Sequence, residues 1–466
     1  MAADLPTSNT AKFSKLGVIA ATVGSAIGLG NIWRFPAEAQ ANGGGAFLIV
    51  YIGCVFLLGI PVMLAEMSLG RAGQSDAVGC FKRLTPRNHW WLAGTVGLVA
   101  TFLIMSFYMV VAAWTLEYFF DSVTGDLFAG YHPGSLDQEA SYFQSKMSEY
   151  VSTAWTPLLW TVILIGINLA VLLMGVRKGI EKVSNLLMPL LFVLLLVFCV
   201  VSLTLPGAGR GVAFFVNPDF SAININVIIN ALGQAFFSLS LGMGILVTYS
   251  AYYPKETHLG RTAVTVSMLD FLMAFLMGLV IFPAVISFGI GSGTGDLEGT
   301  TLVFVTLPEI FAHMGGSRIW SSLFFLLLSV AAITSTISGA EVAVAFVRDR
   351  FKVKRWRACL IVLLPMLAMS ILCSLSLGGG GRGLLIGSMP LFDFLDTVCT
   401  NLMLPLSALL ICVYVGWVLP KDFISQQLSH HGKHAAASAP LVAFLVRWIC
   451  PLLISVILIV KLISIL

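Results

Sequence analysis

Apolar positions in this chain come in long blocks, not in the alternating or striped patterns of a water-soluble domain. Eleven blocks, near residues 16–41, 43–70, 92–120, 155–175, 180–205, 222–253, 262–290, 318–347, 357–376, 391–419 and 439–464, predict membrane-crossing helices. Two of them are interrupted. Block one reads Gly24-Ser25-Ala26-Ile27-Gly28-Leu29-Gly30-Asn31, then Ile32-Trp33-Arg34-Phe35-Pro36, with three glycines in seven residues followed by Asn, Arg and Pro. Block six reads Ser238-Leu239-Ser240-Leu241-Gly242-Met243-Gly244. A single Gly or Pro needs no more than a packing-related kink. Clusters like these predict helices that unwind near mid-depth. The C=O and N–H groups freed there are tolerated only where they line a cavity. Freed carbonyls suit a small cation, and half-helix N-termini suit an anion.

The two interrupted blocks head two sets of five, blocks 1–5 and 6–10. Five is odd, so the sets run through the membrane in opposite senses. This predicts one all-α transmembrane domain over residues 1–466, with inverted repeats at about 14–206 and 221–420 and an additional helix at about 439–464. Paired broken helices in an inverted repeat point to a binding site near the midplane, as in secondary transporters. Between blocks seven and eight, Leu302 to His313 predicts a short apolar helix, too short to span, after a Gly/Ser-rich start.

Composition agrees. The chain is 58% hydrophobic and 10% charged, against about 25% charge in soluble domains. The polar first ten residues lack the basic start and cleavage site of a signal peptide. With the N-terminus inside, inner loops hold 19 of the 26 Lys and Arg residues, and outer loops hold Lys146, Arg210, Arg318 and Arg382. That asymmetry predicts a plasma-membrane protein with its N-terminus cytoplasmic and its C-terminus outside. The eight cysteines lie mostly in or beside apolar blocks with no CxxC, and are expected to be free thiols. The seven histidines sit in loops or near block ends, and no HExxH or GxSxG occurs. An enzyme is therefore not expected, and nothing points to nucleic acid.

Three stretches carry a family resemblance: GSAIGLGNIWRFP, NGGGAFLIVY (Asn42 to Tyr51) and GQAFFSLSLGMG. They closely resemble the neurotransmitter:sodium symporters, over roughly residues 14 to 460. Gly179 and Pro189 resemble the family's Gly-x9-Pro element at the inner end of span five. The resemblance implies the LeuT-type fold of a 5+5 inverted repeat, here with the eleven spans of some bacterial members.

The resemblance also implies a site. One sodium ion would be held by the Ala26 carbonyl, Asn31, Ser238 and Asp270, with the substrate carboxylate completing its shell. A second would be held by the carbonyls of Gly24, Ile27 and Ala331 and the hydroxyls of Thr334 and Ser335. Taken alone, those two hydroxyls read as bonded back to their own helix. The carboxylate would also meet the N–H groups of Leu29 and Gly30 and the hydroxyl of Tyr108, beside Ser25 and under a Phe237 lid. Ile104, Ser240, Met243, Ser335 and Gly339 would shape the side-chain pocket, with Gly339 leaving room for a large side chain. Arg34 would pair across the outer gate with an acid of span ten, Asp393 in preference to Asp396. Asp349 would be the inner-gate acid. The family's Arg-x-x-Trp partner is missing, which leaves Lys12 or Lys15. Glu66 would support the unwound segments, since an acid inside a span is functional by default.

Many family members have Asn where this chain has Asp270, and need chloride nearby. Tyr51, Gln234 and Ser238 retain the frame of that chloride site, and Asp270 would supply the negative charge itself. The expectation is a sodium symporter for hydrophobic or aromatic L-amino acids working by alternating access, with two sodium sites and no chloride requirement. Its partners would be a small-molecule amino-acid substrate and the lipid bilayer, and a monomer would suffice. The alternatives are a small or polar amino acid or an amine as substrate, and a ligand-gated channel or sensor on the same fold.

Overall fold

The computed structural model describes residues 12–132, 136–153, 155–289, 299–378, 384–429 and 436–465. Arg382, Lys433, three histidines (His430, His431, His434) and the Gly/Ser-rich run at 290–298 lie outside the described residues.

Helices follow the apolar blocks. Eight continuous helical stretches among the described residues are long and apolar enough to cross a membrane. They are Gly45–Gly73, Trp91–Thr124, Trp155–Leu203, Leu259–Phe288, Ser317–Phe351, Arg355–Leu377, Leu391–Val418 and Ala439–Ile463. Lys15–Ala26 and Gly30–Ala41, bent by 54°, make one more crossing. Trp155–Leu203 has 49 residues, far more than the roughly 20 that span a bilayer. Gly175, at φ +84°, and a wide turn over Val176–Glu181 divide it into Trp155–Gly175 and Lys182–Leu203. The sixth block forms two short helices, Ile225–Ser238 and Ile245–Ala251. With these interruptions the lengths are consistent with the eleven spans expected. The fold is the mostly helical membrane architecture that the hydropathy pattern predicts, with one small antiparallel pairing of Leu385–Ile386 and Met389–Pro390.

Helix starts have local causes. Ser14 caps span one, its hydroxyl oxygen accepting from Gly17 N–H, and Asn224 caps span six by accepting from Asn226 and Val227 N–H. Spans three and eight pack along each other for most of their length, and the broken spans one and six lie against them and against spans two, five and seven. Outside the spans, Gly299–Ala312 is the short apolar helix expected before span eight. The polar tract after span three contains a helix over Leu136–Ser152.

A helix over Ala208–Val216, which the hydropathy pattern does not single out, fastens the outer halves of spans one, two and seven. Its Phe215 is fully buried and meets Phe35, Phe275 and Phe282 at ring-centroid distances of 6.1, 5.5 and 5.2 Å. Two glycines allow this approach. A Cβ on Gly278 would fall 2.3 Å from the Phe215 ring, and one on Gly211 would fall 2.5 Å from the Pro283 backbone. Backbone cannot yield as a side-chain end can. Gly211→Ala is therefore expected to destabilise the protein by about 1–3 kcal/mol, the usual cost of overpacking. A lowered thermal transition of the detergent-solubilised protein checks this, and an unchanged one would contradict the packing described.

Candidate functional site

The break in span one is a redirection of hydrogen bonds. In an unbroken helix, Gly28 N–H and Leu29 N–H would donate to the carbonyls of Gly24 and Ser25. Here Gly28 N–H donates to Asn31 Oδ1 (3.3 Å) and Leu29 N–H to the Tyr108 hydroxyl (3.3 Å). The Ser25 carbonyl accepts from the Ser240 hydroxyl instead (3.0 Å), and the Ile27 carbonyl from the Ser335 hydroxyl (3.2 Å). Gly28 must be glycine for this: a Cβ there would lie 2.7 Å from Ser335 Oγ.

Span six unwinds between Leu239 and Gly244, with Ser240, Gly242 and Gly244 at φ +53°, +79° and +68°. Its freed groups find partners on other spans. Gly242 N–H donates to Glu66 Oε1 (2.7 Å), and the Met243 carbonyl accepts from the Thr101 hydroxyl (2.6 Å). Glu66 is fully buried, so the sequence-predicted acid of span two sits where an unwound backbone needs an acceptor.

The two breaks meet at Asp270 of span seven, which has no exposed surface. Asn31 Nδ2 donates to Asp270 Oδ1 (2.8 Å) and to Ser238 Oγ (3.0 Å), and Ser238 Oγ donates to Asp270 Oδ2 (2.7 Å). The Tyr51 hydroxyl lies 3.5 Å from Oδ2. Gln234 Nε2 donates to the Gly30 carbonyl (3.2 Å). Every donor on this carboxylate is neutral, and no Lys, Arg or His pairs with it among the described residues. A buried carboxylate without a cationic partner is costly. An oxygen-rich cluster with that uncompensated charge is suited to a small hard cation.

Beside the cluster is a cavity of about 40 Å³ lined by Ser25, Ala26, Leu29, Gly30, Ile104, Tyr108, Phe237, Ser238, Ser240, Met243 and Ser335. These are eleven of the twelve residues expected to bind substrate. Gly28, Met105 and Ile245 also line it and were missed. Met105 was open to detection, since it lies three residues before Tyr108 and so on the same helical face. The twelfth expected residue, Gly339, does not line the cavity. Its missing side chain leaves no empty volume, because Met105 fills the notch: a Cβ on Gly339 would be 2.3 Å from Met105 Sδ. The expectation of open pocket space at Gly339 is corrected accordingly.

The hydroxyls of the second expected ion site face the break. Ser335 Oγ reaches the Ile27 carbonyl, while Thr334 Oγ1 donates back to Val330 and Ala331 (3.1 and 3.0 Å). A back-bonded hydroxyl gives up its proton and keeps its lone pairs, so Thr334 remains able to face a cation. Gly24 borders Thr334, whose Cβ would lie 3.5 Å from a Cβ at Gly24.

Above Phe237 opens a vestibule of about 590 Å³ lined by Arg34, Asp393 and Asp396 among others. Phe237 and Tyr108 border both spaces. Arg34 lies over the Phe237 ring at 4.6 Å and pairs with Glu38 at 3.8 Å, not with either aspartate. Asp396, one helical turn deeper than Asp393, accepts from Thr400 (2.9 Å), and both aspartates share the vestibule with Arg34. The geometry thus differs from the preferred Arg34–Asp393 pairing, because Arg34 turns to Glu38 on its own helix.

At the inner end, Asp349 pairs with its neighbour Arg348 (2.8 Å), and among the described residues neither Lys12 nor Lys15 pairs with it. The tail is held by Phe13, whose N–H donates to the Tyr252 carbonyl (3.0 Å) and whose ring packs against Tyr249, Tyr252 and Tyr253. Tyr252 in turn donates to fully buried Glu341 (3.0 Å), which is paired with Arg355 (2.6 Å). Hydropathy gave no sign of that pair, since Arg355 lies in a loop-proximal basic run.

Comparison with known proteins places this geometry. The family model described as "Sodium:neurotransmitter symporter family" matches residues 11–132 and 136–466. An uncharacterized sodium-dependent transporter of Bacillus subtilis (strain 168), YhdH, is 36% identical over 95% of this chain and 96% of its own. An uncharacterized sodium-dependent transporter of Methanocaldococcus jannaschii is 34% identical over 89% of this chain and 83% of its own. The crystal structure of MhsT in complex with L-phenylalanine superposes with a TM-score of 0.86 at 38% identity, covering 97% of this chain and 99% of that one.

The vestibule geometry yields a test. Asp396→Ala is expected to raise the accessibility of a cysteine introduced into the vestibule several-fold more than Asp393→Ala does. Thiol-labelling rates check this, and the reverse order would restore the Asp393 pairing.

Proposed function

Because the chain belongs to the sodium:neurotransmitter symporter family and is a sodium-dependent membrane transporter, we propose that it imports hydrophobic or aromatic L-amino acids together with sodium, by alternating access across the plasma membrane. One observation carries this reading: a fully buried carboxylate with only neutral donors stands where both helix breaks meet, next to a cavity whose lining holds no charged side chain. The first feature asks for a cation. The second selects a neutral side chain.

On this reading the first sodium lies among Asn31, Ser238, Asp270 and the Ala26 carbonyl, with the second at the carbonyls of Gly24, Ile27 and Ala331 and the hydroxyls of Thr334 and Ser335. The substrate's carboxylate inserts between Leu29 N–H and the Tyr108 hydroxyl, now 3.3 Å apart and bonded directly. Gly30 N–H adds a second donor. Breaking the direct bond gives both groups a charged partner, and charge-assisted hydrogen bonds are the stronger kind. Phe237 then covers the amino acid, and the Arg34 guanidinium stacked on that ring adds a further layer. The cytoplasmic N-terminus follows from the bias of basic residues.

The experiment is uptake of labelled amino acids into proteoliposomes with and without a sodium gradient. Leucine, phenylalanine, tyrosine or tryptophan should accumulate with sodium and equilibrate without it. Accumulation of only glycine, polar amino acids or amines would overturn the substrate class. Replacing chloride by gluconate is expected to leave uptake nearly unchanged, because Asp270 itself supplies the anion. Asp270→Asn should impair uptake, and a collapse of wild-type uptake in gluconate would refute the charge substitution. Separately, Thr334→Ala combined with Ser335→Ala should weaken sodium-dependent substrate binding at least tenfold, as loss of charged-group hydrogen-bond partners at about 1.5 kcal/mol or more would give. An unaltered sodium titration would return these hydroxyls to a purely helical role.

A further inference from the structure

The vacancy that glycine leaves at position 339 is not substrate space, yet it is well placed to set how much substrate space there is. We infer that Met105 is a movable plug seated in the Gly339 notch, and that its staying there sets the size of side chain the site accepts. This rests on the amino-acid symport reading above.

Met105 is the element common to both spaces. Its side chain occupies the notch, since a Cβ on Gly339 would meet Sδ at 2.3 Å, Cγ at 2.7 Å and Cε at 2.8 Å. It also lines the cavity, where Gly339 does not. Span three and span eight pack closely along their length, with the notch between them. With Met105 as it stands, the cavity holds about 40 Å³, enough for a few waters but well short of the roughly 150 Å³ of an apolar cavity that takes benzene. A phenyl or indole group therefore enters only with Met105 kept in the notch and with further room yielded by the rest of the lining. Met105 and Met243 are the unbranched side chains of the lining, and methionine re-packs through three rotatable bonds. Ile104 and Ile245 are β-branched and stiff at χ1. Tyr108 is held by Leu29 N–H.

The direction of the effect follows. A side chain added at position 339 cannot reach the cavity directly. It expels Met105, whose alternative is the cavity itself. Gly339 thus acts through Met105, as a positioning residue, while Met105 is the group that meets the substrate side chain. Had Gly339 lined the pocket, a bulky replacement would block large substrates whatever stood at position 105.

A double-substitution cycle separates the two. Binding of L-alanine, L-leucine, L-phenylalanine and L-tryptophan to purified protein is measured in sodium for wild type, Gly339→Ile, Met105→Ala and the double variant. Gly339→Ile should weaken tryptophan relative to alanine by at least about tenfold, the discrimination that a misfit of one methylene or more produces in an apolar pocket. Met105→Ala alone should shift the ratio the other way, and adding it to Gly339→Ile should restore most of the lost tryptophan binding. If the double variant stays as impaired as Gly339→Ile, or if Met105→Ala leaves the ratio unchanged, the plug is refuted. Retained sodium-dependent alanine binding shows that a variant is folded, and Met105→Ala tests the plug by itself even where Gly339→Ile does not fold. Absence of any sodium-dependent amino-acid binding in wild type would instead overturn the symport reading itself.

Discussion

The constraint on which the site depends is the charge of Asp270. A carboxylate with no exposed surface needs compensation, and the protein supplies only an amide and two hydroxyls. At an effective dielectric near 20, two unit charges 4 Å apart interact by about 4 kcal/mol. Neutral hydrogen bonds each contribute about 1 kcal/mol net. The cluster is therefore satisfied in hydrogen bonding and unsatisfied in charge. Glu341 at the inner end makes the contrast: equally buried, it has Arg355 at 2.6 Å and needs nothing from outside. One buried acid is closed within the protein, and the other is open to a mobile cation.

The helix breaks serve that constraint. Ser25 and Ile27 give their carbonyls to side-chain hydroxyls of spans six and eight, and Gly28 gives its N–H to Asn31. Span six repeats the device with Glu66 and Thr101 as acceptor and donor. Apart from Asn31, each partner lies on another span. The unwound backbone is thus held by other spans, and local geometry at the breaks is tied to the positions of spans two, three and eight. A helix bonded within itself would transmit no such dependence.

Much of this was legible in the sequence, for a physical reason. Glycine clusters and intramembrane polar residues are costly in hydrocarbon, so Gly28, Asn31, Gly242, Glu66 and Asp270 stood out wherever they fell. Long-range choices between similar partners did not. Asp393 and Asp396 are three residues apart on one helix, and in the structure Arg34 turns to Glu38 and to neither of them. Gly339 announced missing volume, but the occupant of that volume is a side chain from span three. Arg355 and Glu341 are distant in sequence from Tyr252, and the cation expected at Asp349 was sought in the tail because the tail usually supplies it. The tail is instead held by the Phe13 ring, which a search for charge could not find.

Charge counting links ion and substrate most tightly. On the proposed reading, Asp270 contributes one negative charge and a sodium ion one positive charge, so the first ion site would be neutral before substrate arrives. An α-amino acid is a zwitterion and keeps it neutral, with its carboxylate near the ion and the Leu29 and Gly30 N–H groups and its ammonium toward the carbonyls of span one. An amine without a carboxylate would add an uncompensated positive charge beside the sodium, in a cavity whose lining has no acid to receive it. At the distances involved that repulsion is of the same few kcal/mol as the attraction that holds the ion. On the proposed reading, the carboxylate that would stand in for chloride also disfavours amines, leaving the apolar lining and the methionines within it to discriminate among amino acids.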